Sequence, residues 1–167
     1  MKDTDELIVE LLPGLRRYAR SLSRSMAEAE DLLHDSLEAG LRGKSGWKGT
    51  NFKSWMMTIM TNTARNRYRS GFTPSMMTGL EDADNLPIEI PTSDPLERDK
   101  LWAAINSLPS DYRACLMLVV VEGCKYTDVA EILAVPLGTV MSRLSRSRKL
   151  LTERLRQNNV IPLRGRT

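Results

Sequence analysis

The sequence predicts an all-α protein built from two small helical domains joined by a flexible linker. Three observations lead there. Apolar residues recur at helical spacing from Leu7 to Arg69 and again from Leu96 to Leu155. Between these stretches, Ser70 to Asp99 contains Pro74, Pro87, Pro91 and Pro95, is acidic and sustains no period, so it reads as a linker. Charge also falls in blocks. Arg42 to Arg69 has seven basic residues and no acid, Gly79 to Leu101 has seven acids and two bases, and Pro136 to Thr167 has eight bases and one acid, Glu153. Two basic blocks separated by an acidic one suggest two nucleic-acid contacts within a net charge of only +3. The boundaries drawn from this are 1–70, 71–97 and 98–167.

In the first domain, Leu15, Tyr18, Ala19, Leu22, Met26, Ala29, Leu33, Leu37 and Leu41 make a core stripe that follows an opening turn and breaks near Ser23 to Met26. Beside it Glu28, Asp31, Asp35 and Glu38 line up on one face. This is either a solvated acidic face or a docking surface for a basic protein, and like charges so placed cost stability unless a partner meets them. Gly40, Gly43, Gly46 and Gly49 then mark a basic loop carrying Arg42, Lys44, Trp47 and Lys48. A helix from about Asn51 turns Phe52, Trp55, Met56, Ile59 and Thr63 inward. It shows Asn62, Arg65, Asn66 and Arg69 at i, i+3, i+4, i+7 on another face. Amides that can bond base edges, arginines for phosphates and Trp47 beside them suit a single strand with unstacked bases.

In the second domain, Leu101, Ala104, Ile105 and Leu108 precede Pro109, and Tyr112, Cys115, Leu116 and Val119 build a helix that Gly123 ends. Tyr126 to Leu151 reads as a helix-turn-helix. Thr127 is placed as N-cap of the first helix, Ala130 permits close crossing, and Ala134-Val135-Pro136 makes the break. The second helix buries Val140, Leu144 and Leu151 and displays Thr139, Ser142, Arg143, Ser145, Arg146 and Lys149, a donor-rich face suited to a major groove.

Other classes find little support. No apolar run approaches the roughly 20 residues of a membrane span. The acidic amphipathic start MKDTDELIVELL is unlike a signal or transit peptide, so a cytoplasmic protein without membrane insertion is expected. Cys115 and Cys124 read as buried or half-buried thiols, His34 as a surface or packing residue, and Met56, Met57, Met60, Met76 and Met77 as core and loop residues. No nucleophile–base pair, phosphate-cradling loop or metal cluster is visible, so neither enzymatic activity nor a cofactor is expected.

Three segments together, AEDLLHDSLEAGL (29–41), FKSWMMTIMTNTARNRYR (52–69) and LPSDYRACLMLVVVEGCKYTDVAEILAVPLGTVMSRLSRSRKLL (108–151), resemble the extracytoplasmic-function (ECF) sigma factors of bacterial RNA polymerase. The resemblance implies a region 2 helical bundle, a region 4 helix-turn-helix and a linker threading towards the polymerase active centre. It implies promoter-directed transcription initiation, with core polymerase (β′ clamp helices and β flap), promoter DNA and an anti-sigma factor as partners. By position, Glu30, Asp31, Leu33, His34, Asp35 and Glu38 match the clamp-docking helix. Asn62, Thr63, Arg65, Asn66 and Arg69 match the helix that reads the melted −10 strand, and Trp47, Lys48 and Phe52 match the loop that cradles a flipped base. Thr139, Met141, Ser142, Arg143, Ser145 and Arg146 match the −35 reading positions, with Arg148 and Lys149 on phosphates. This chain departs from relatives in having His34 for Gln, Met141 for Lys or Arg, a small Ser145, and Ala134 for Gly. A positive φ at Ala134 would cost about 1 kcal/mol. Two alternatives remain at this point: a dimeric helix-turn-helix regulator that binds duplex DNA without polymerase, and a sigma-like decoy for an anti-sigma protein.

Overall fold

In the computed structural model, residues 2–69 and 95–164 are described, with side chains for 2–67 and 96–157. The expected linker falls almost wholly outside them, as do Met76, Met77, Arg166 and the side chains of Arg69 and Arg164. Among the described residues the elements are helical throughout.

Asp3 starts α1 (Thr4–Ser21) by accepting the Thr4 N–H at 2.8 Å. The helix runs straight through Pro13, so the expected opening turn before Leu15 is in fact helix. Ser25 caps α2 (Met26–Arg42) at the Glu28 N–H, and Glu28 reaches back to the Arg24 N–H at 2.9 Å. That reciprocal arrangement is a capping-box variant, legible in Ser-x-x-Glu, and it removes Glu28 from the acidic face. A short 3-10 turn (Lys44–Gly46) leads to α3 (Phe52–Arg69).

Leu15, Tyr18, Leu32, Leu33, Met56, Met57 and Met60 form the core of this three-helix unit. Met26 and Leu41, expected in its stripe, are exposed. Helices α2 and α3 approach closely at Gly40, where an added Cβ would lie 2.7 Å from Met56 Sδ. Tyr18 bonds Thr61 Oγ1 at 2.8 Å in the core, and burial pushes its phenol well above the ordinary range.

The second unit comprises α4 (Pro95–Asn106), α5 (Ser110–Leu116), a π-helical turn (Met117–Val121), α6 (Tyr126–Leu133) and α7 (Leu137–Arg164). Helix α4 begins at Pro95, inside the span assigned to the linker; proline suits a first helical turn, where its missing N–H has no intrahelical partner to lose. Asn106 holds the buried Arg113 through its backbone and side-chain oxygens, both at 3.0 Å, tying α4 to α5. The π turn bonds the Glu122 N–H to the Met117 carbonyl, and Gly123 then exits at φ +68°. Lys125, not Thr127, occupies the N-cap position of α6, so Thr127 lies in the first turn. Ala134 adopts φ +56°, ψ +49°, and the Val135 N–H returns to the Ala130 carbonyl at 3.0 Å. This is a Schellman-type stop made by alanine where glycine carries no Cβ penalty.

Candidate nucleic-acid and partner interfaces

Asn51 organises the first candidate surface. Its Oδ1 accepts the Ser54 N–H at 3.1 Å at the start of α3, which leaves the side-chain NH2 facing outward. Just before it, the Trp47 indole N–H donates to the Thr50 carbonyl. The Trp47 ring meets Phe52 edge-on at 4.9 Å, and Phe52 tilts against Trp55 at 5.5 Å. Phe52 is only 7% exposed, so it supports Trp47 from beneath and does not itself face a ligand, which corrects its assignment as a contact residue. Lys48, Asn62 and Asn66 are exposed, while Trp47, Thr63 and Arg65 are half-buried. Thr63 spends its hydroxyl proton on the Ile59 carbonyl. Asn62, Arg65 and Asn66 share one side of α3, as their spacing requires.

The second surface is α7. Val140 and Leu144 turn into the core, and Ser147 joins them, donating to the Arg143 carbonyl at 2.7 Å. Met141, Ser142, Ser145, Arg146, Arg148 and Lys149 are exposed. Thr139 and Arg143 are half-buried, and Arg143 leans towards Asp111 at 3.9 Å. Arg146 donates to the Tyr112 hydroxyl at 3.3 Å, an interaction that raises its pKa and keeps it a cation.

On α2, Asp31, His34, Asp35 and Glu38 are exposed and Glu30 is half-buried. Leu33 is 2% exposed and packs inward with Leu32, so it cannot be a docking contact; its side chain is committed to the three-helix core. Arginines already neutralise part of the face: Asp35 pairs with Arg67, Glu38 with Arg42 at 3.1 Å, and Glu30 with Arg16 at 3.6 Å. Pairs this exposed hold little energy and exchange readily for an external cation.

Sequence reasoning missed the seam between the two units. The Glu122 carboxylate is wholly shielded from water. It accepts from Arg17 Nε at 3.0 Å and an Arg17 terminal nitrogen at 3.3 Å, and Lys53 Nζ lies 3.5 Å away. Lys53 also donates to the Glu122 carbonyl. Gly14 makes room for it, since an added Cβ there would meet Glu122 Oε1 at 2.4 Å. Nearby, Asn51 donates to Asp128 at 3.2 Å and Arg65 to the Leu133 carbonyl at 2.7 Å. A single acid in the apolar run VVVEGC was the available signal, because an isolated carboxylate there must find cations.

Among the described residues no helix is long and apolar enough to cross a membrane, and no group of three or more His, Cys, Asp or Glu side chains is placed to hold a metal ion. Both thiols have raised pKa values through burial.

Comparison with known proteins identifies the family. The family profile for sigma-70 region 4 matches residues 98–151, and that for the Sigma2 domain of PhyR matches residues 8–61. The chain is 34% identical to the ECF RNA polymerase sigma factor EcfG of Rhodopseudomonas palustris over 89% of its own length and 84% of the relative's. It is 31% identical to the ECF RNA polymerase sigma factor SigE of Mycolicibacterium smegmatis over 95% of its own length, but spans only 64% of that relative. The sigma factor RpoE of Bartonella quintana, solved with the anti-sigma factor NepR, superposes with a TM-score of 0.76 at 30% identity, covering 93% of this chain and 98% of that one. CnrH, solved with the cytosolic domain of CnrY, shares the fold at a TM-score of 0.66 and 19% identity. With both family profiles matched and that identity to EcfG over most of each chain, the protein belongs to the ECF sigma factors of the sigma-70 family.

Proposed function

We propose that this chain is a promoter-specificity subunit that joins core RNA polymerase in the cytoplasm and directs initiation from promoters with −10 and −35 elements. One observation carries the reading: two cationic, donor-rich surfaces lie on separate units, and a further helix, α2, carries an acidic face. A regulator of duplex DNA needs one such surface and leaves the other two without a use. The face of α3 with Asn62, Thr63, Arg65, Asn66 and Arg69, together with the Trp47–Lys48 loop, takes the melted −10 strand by stacking and phosphate contact. Thr139, Met141, Ser142, Arg143, Ser145, Arg146 and Lys149 serve the −35 duplex in the major groove. Glu30, Asp31, His34, Asp35 and Glu38 meet the β′ clamp helices, region 4 meets the β flap, and an anti-sigma protein restrains both units. Such a subunit supplies binding and selectivity, and the bond chemistry belongs to the polymerase.

Run-off transcription with purified core polymerase on genomic fragments, including the DNA upstream of its own coding sequence, tests this. Transcripts that need both components are expected. Core binding without initiation would favour the decoy, and no core binding would favour the duplex regulator.

A further inference from the structure

Arg146 stands exposed on α7 with no acid on its own helix near enough to steady it. From Leu137 to Thr152 the helix carries no Asp or Glu, so no carboxylate lies three or four residues away to hold the guanidinium. Its partner comes from another helix: a terminal nitrogen of Arg146 donates to the Tyr112 hydroxyl at 3.3 Å. Tyr112 sits in the first turn of α5, and its half-buried ring packs against the core. Two further bonds fix α5 against α7 at this level. Ser147, the residue after Arg146, is wholly buried, and its hydroxyl proton is shared between the Arg143 carbonyl at 2.7 Å and the Tyr112 carbonyl at 3.1 Å. Closer to the start of α7, the Cys115 thiol meets the Val140 carbonyl at 3.5 Å. The buried Arg113, next to Tyr112, is held in turn by Asn106. The phenol oxygen is therefore a fixed point on which a long, rotamer-rich side chain rests.

Resting on the promoter reading above, we propose that Tyr112 is a positioning residue for −35 recognition: its hydroxyl holds the Arg146 guanidinium in the posture in which it reads a base pair. A neutral phenol suits this task better than a carboxylate. It accepts one of the five guanidinium N–H groups and leaves four for a base edge, where arginine typically bonds guanine O6 and N7 together. It also leaves the positive charge unneutralised and sets no negative charge beside the DNA backbone. The adjacent carboxylate, Asp111, lies by Arg143 instead, at 3.9 Å. A mobile arginine surrenders rotamer freedom when it meets a base, whereas one already held surrenders less. Contacts with unmatched DNA do not require the two-bond fork, so they gain little from the anchor. Tyr112 thus adds selectivity at one base pair more than it adds general affinity, and it does so from α5, outside the recognition helix.

The test uses holoenzyme reconstituted from core polymerase and the full chain, on a promoter obtained by the run-off experiment. Each base pair of its −35 element is changed in turn, and transcript yield at limiting holoenzyme, relative to the unchanged promoter, gives the preference at every position. Arg146→Ala marks the position that Arg146 reads. Tyr112→Phe removes only the hydroxyl, and thermal melting of the free chain checks that the fold is kept. The expected result for Tyr112→Phe is a loss of preference at that position of about three- to tenfold, the scale of one immobilised side chain, with the other positions within about twofold of the parent. Added to Arg146→Ala, the same change should have no further effect, which a general loss of packing would not give. Parental preference in Tyr112→Phe, an equal fall in yield on every template such as a lost phosphate contact gives, or a loss that persists without Arg146 overturns the proposal. Arg146→Ala separates the two ways of failing. If it loses base preference while Tyr112→Phe keeps it, the positioning role alone is wrong. If no fragment initiates, or if Arg146→Ala keeps parental preference at every position, −35 reading by Arg146 is wrong and the proposal falls with it.

Discussion

Replacing Glu122 with Gln should loosen the seam by about 2 kcal/mol. Removing one partner of a buried ion pair costs about 3–5 kcal/mol when the stranded charge stays dry, whereas exposed pairs are worth about 0.2–1 kcal/mol. Glu122 is fully shielded, but Arg17 and Lys53 keep 25% and 33% of their side chains exposed. Both cations can recover water, which places the loss between the two limits. About 2 kcal/mol is roughly a 30-fold shift towards the open arrangement. Two readouts follow it. A closed 167-residue body should have a radius of gyration of about 15 Å, and the variant should exceed the parent's value. Cys124 reports chemically, because burial raises its thiol pKa, with Lys53 opposing and Glu122 and Asp128 adding to the rise. Opening relieves that burial, increases the thiolate fraction and should speed alkylation near pH 8. Gly14→Ala supplies an independent arm. Alanine favours the helix by about 1 kcal/mol, yet its Cβ would displace Glu122 Oε1 from 2.4 Å, so the seam should still loosen. Parental radius and alkylation rate in both variants would refute the assignment of Glu122 as the fastener.

Ala134→Gly should stabilise the second unit by about 1 kcal/mol, because alanine there sits at φ +56° with its methyl group exposed; a rise of about 2–4 °C in the melting temperature is the check. Met141, 49% exposed on α7, should read a thymine methyl: replacing that thymine by deoxyuridine in a selected −35 site should weaken the parent severalfold and Met141→Ala hardly at all. Arg146→Ala should cost about 1–3 kcal/mol of −35 discrimination, and an unchanged promoter preference would remove Arg146 from the reading set. The pair Asp31→Lys and Asp35→Lys should abolish binding to core polymerase in pull-down while circular dichroism stays parental; retained binding would move the docking face elsewhere.

The helices were legible because their signals are local. Period, Gly123, the Ala134 break and the Asn/Arg spacing each act within a turn or two of chain. The errors occurred where tertiary context decides. Leu33 is adjacent in sequence to exposed His34, and only the direction of the α2 core stripe commits it inward. Phe52 lies beside the loop expected to hold a base, but the space under Trp47 has to be filled by something apolar. Glu28 shared the spacing of the acidic face until the Arg24 N–H claimed it. The stretch before Leu15 reads as an opening turn, but α1 begins at Thr4 and continues past the exposed Pro13.

The seam was illegible for a different reason, and that reason bears on what it does. Its contacts pair residues 68 to 105 positions apart, and no pattern in either stretch announces the other. They are also polar contacts whose members have alternative partners: Arg65 and Asn51 can turn to a nucleic-acid strand, and Arg17 and Lys53 to water. A permanent interface would favour a dry, well-filled apolar surface, because unpaired polar groups inside it are costly. Among the described residues of the seam the wholly shielded charge is Glu122, and the cations it holds reach solvent. Such an interface is held by groups that can exchange partners, so it opens at lower cost than a dry apolar one. Substituting the seam's polar members should therefore shift when the units separate without changing how either unit folds.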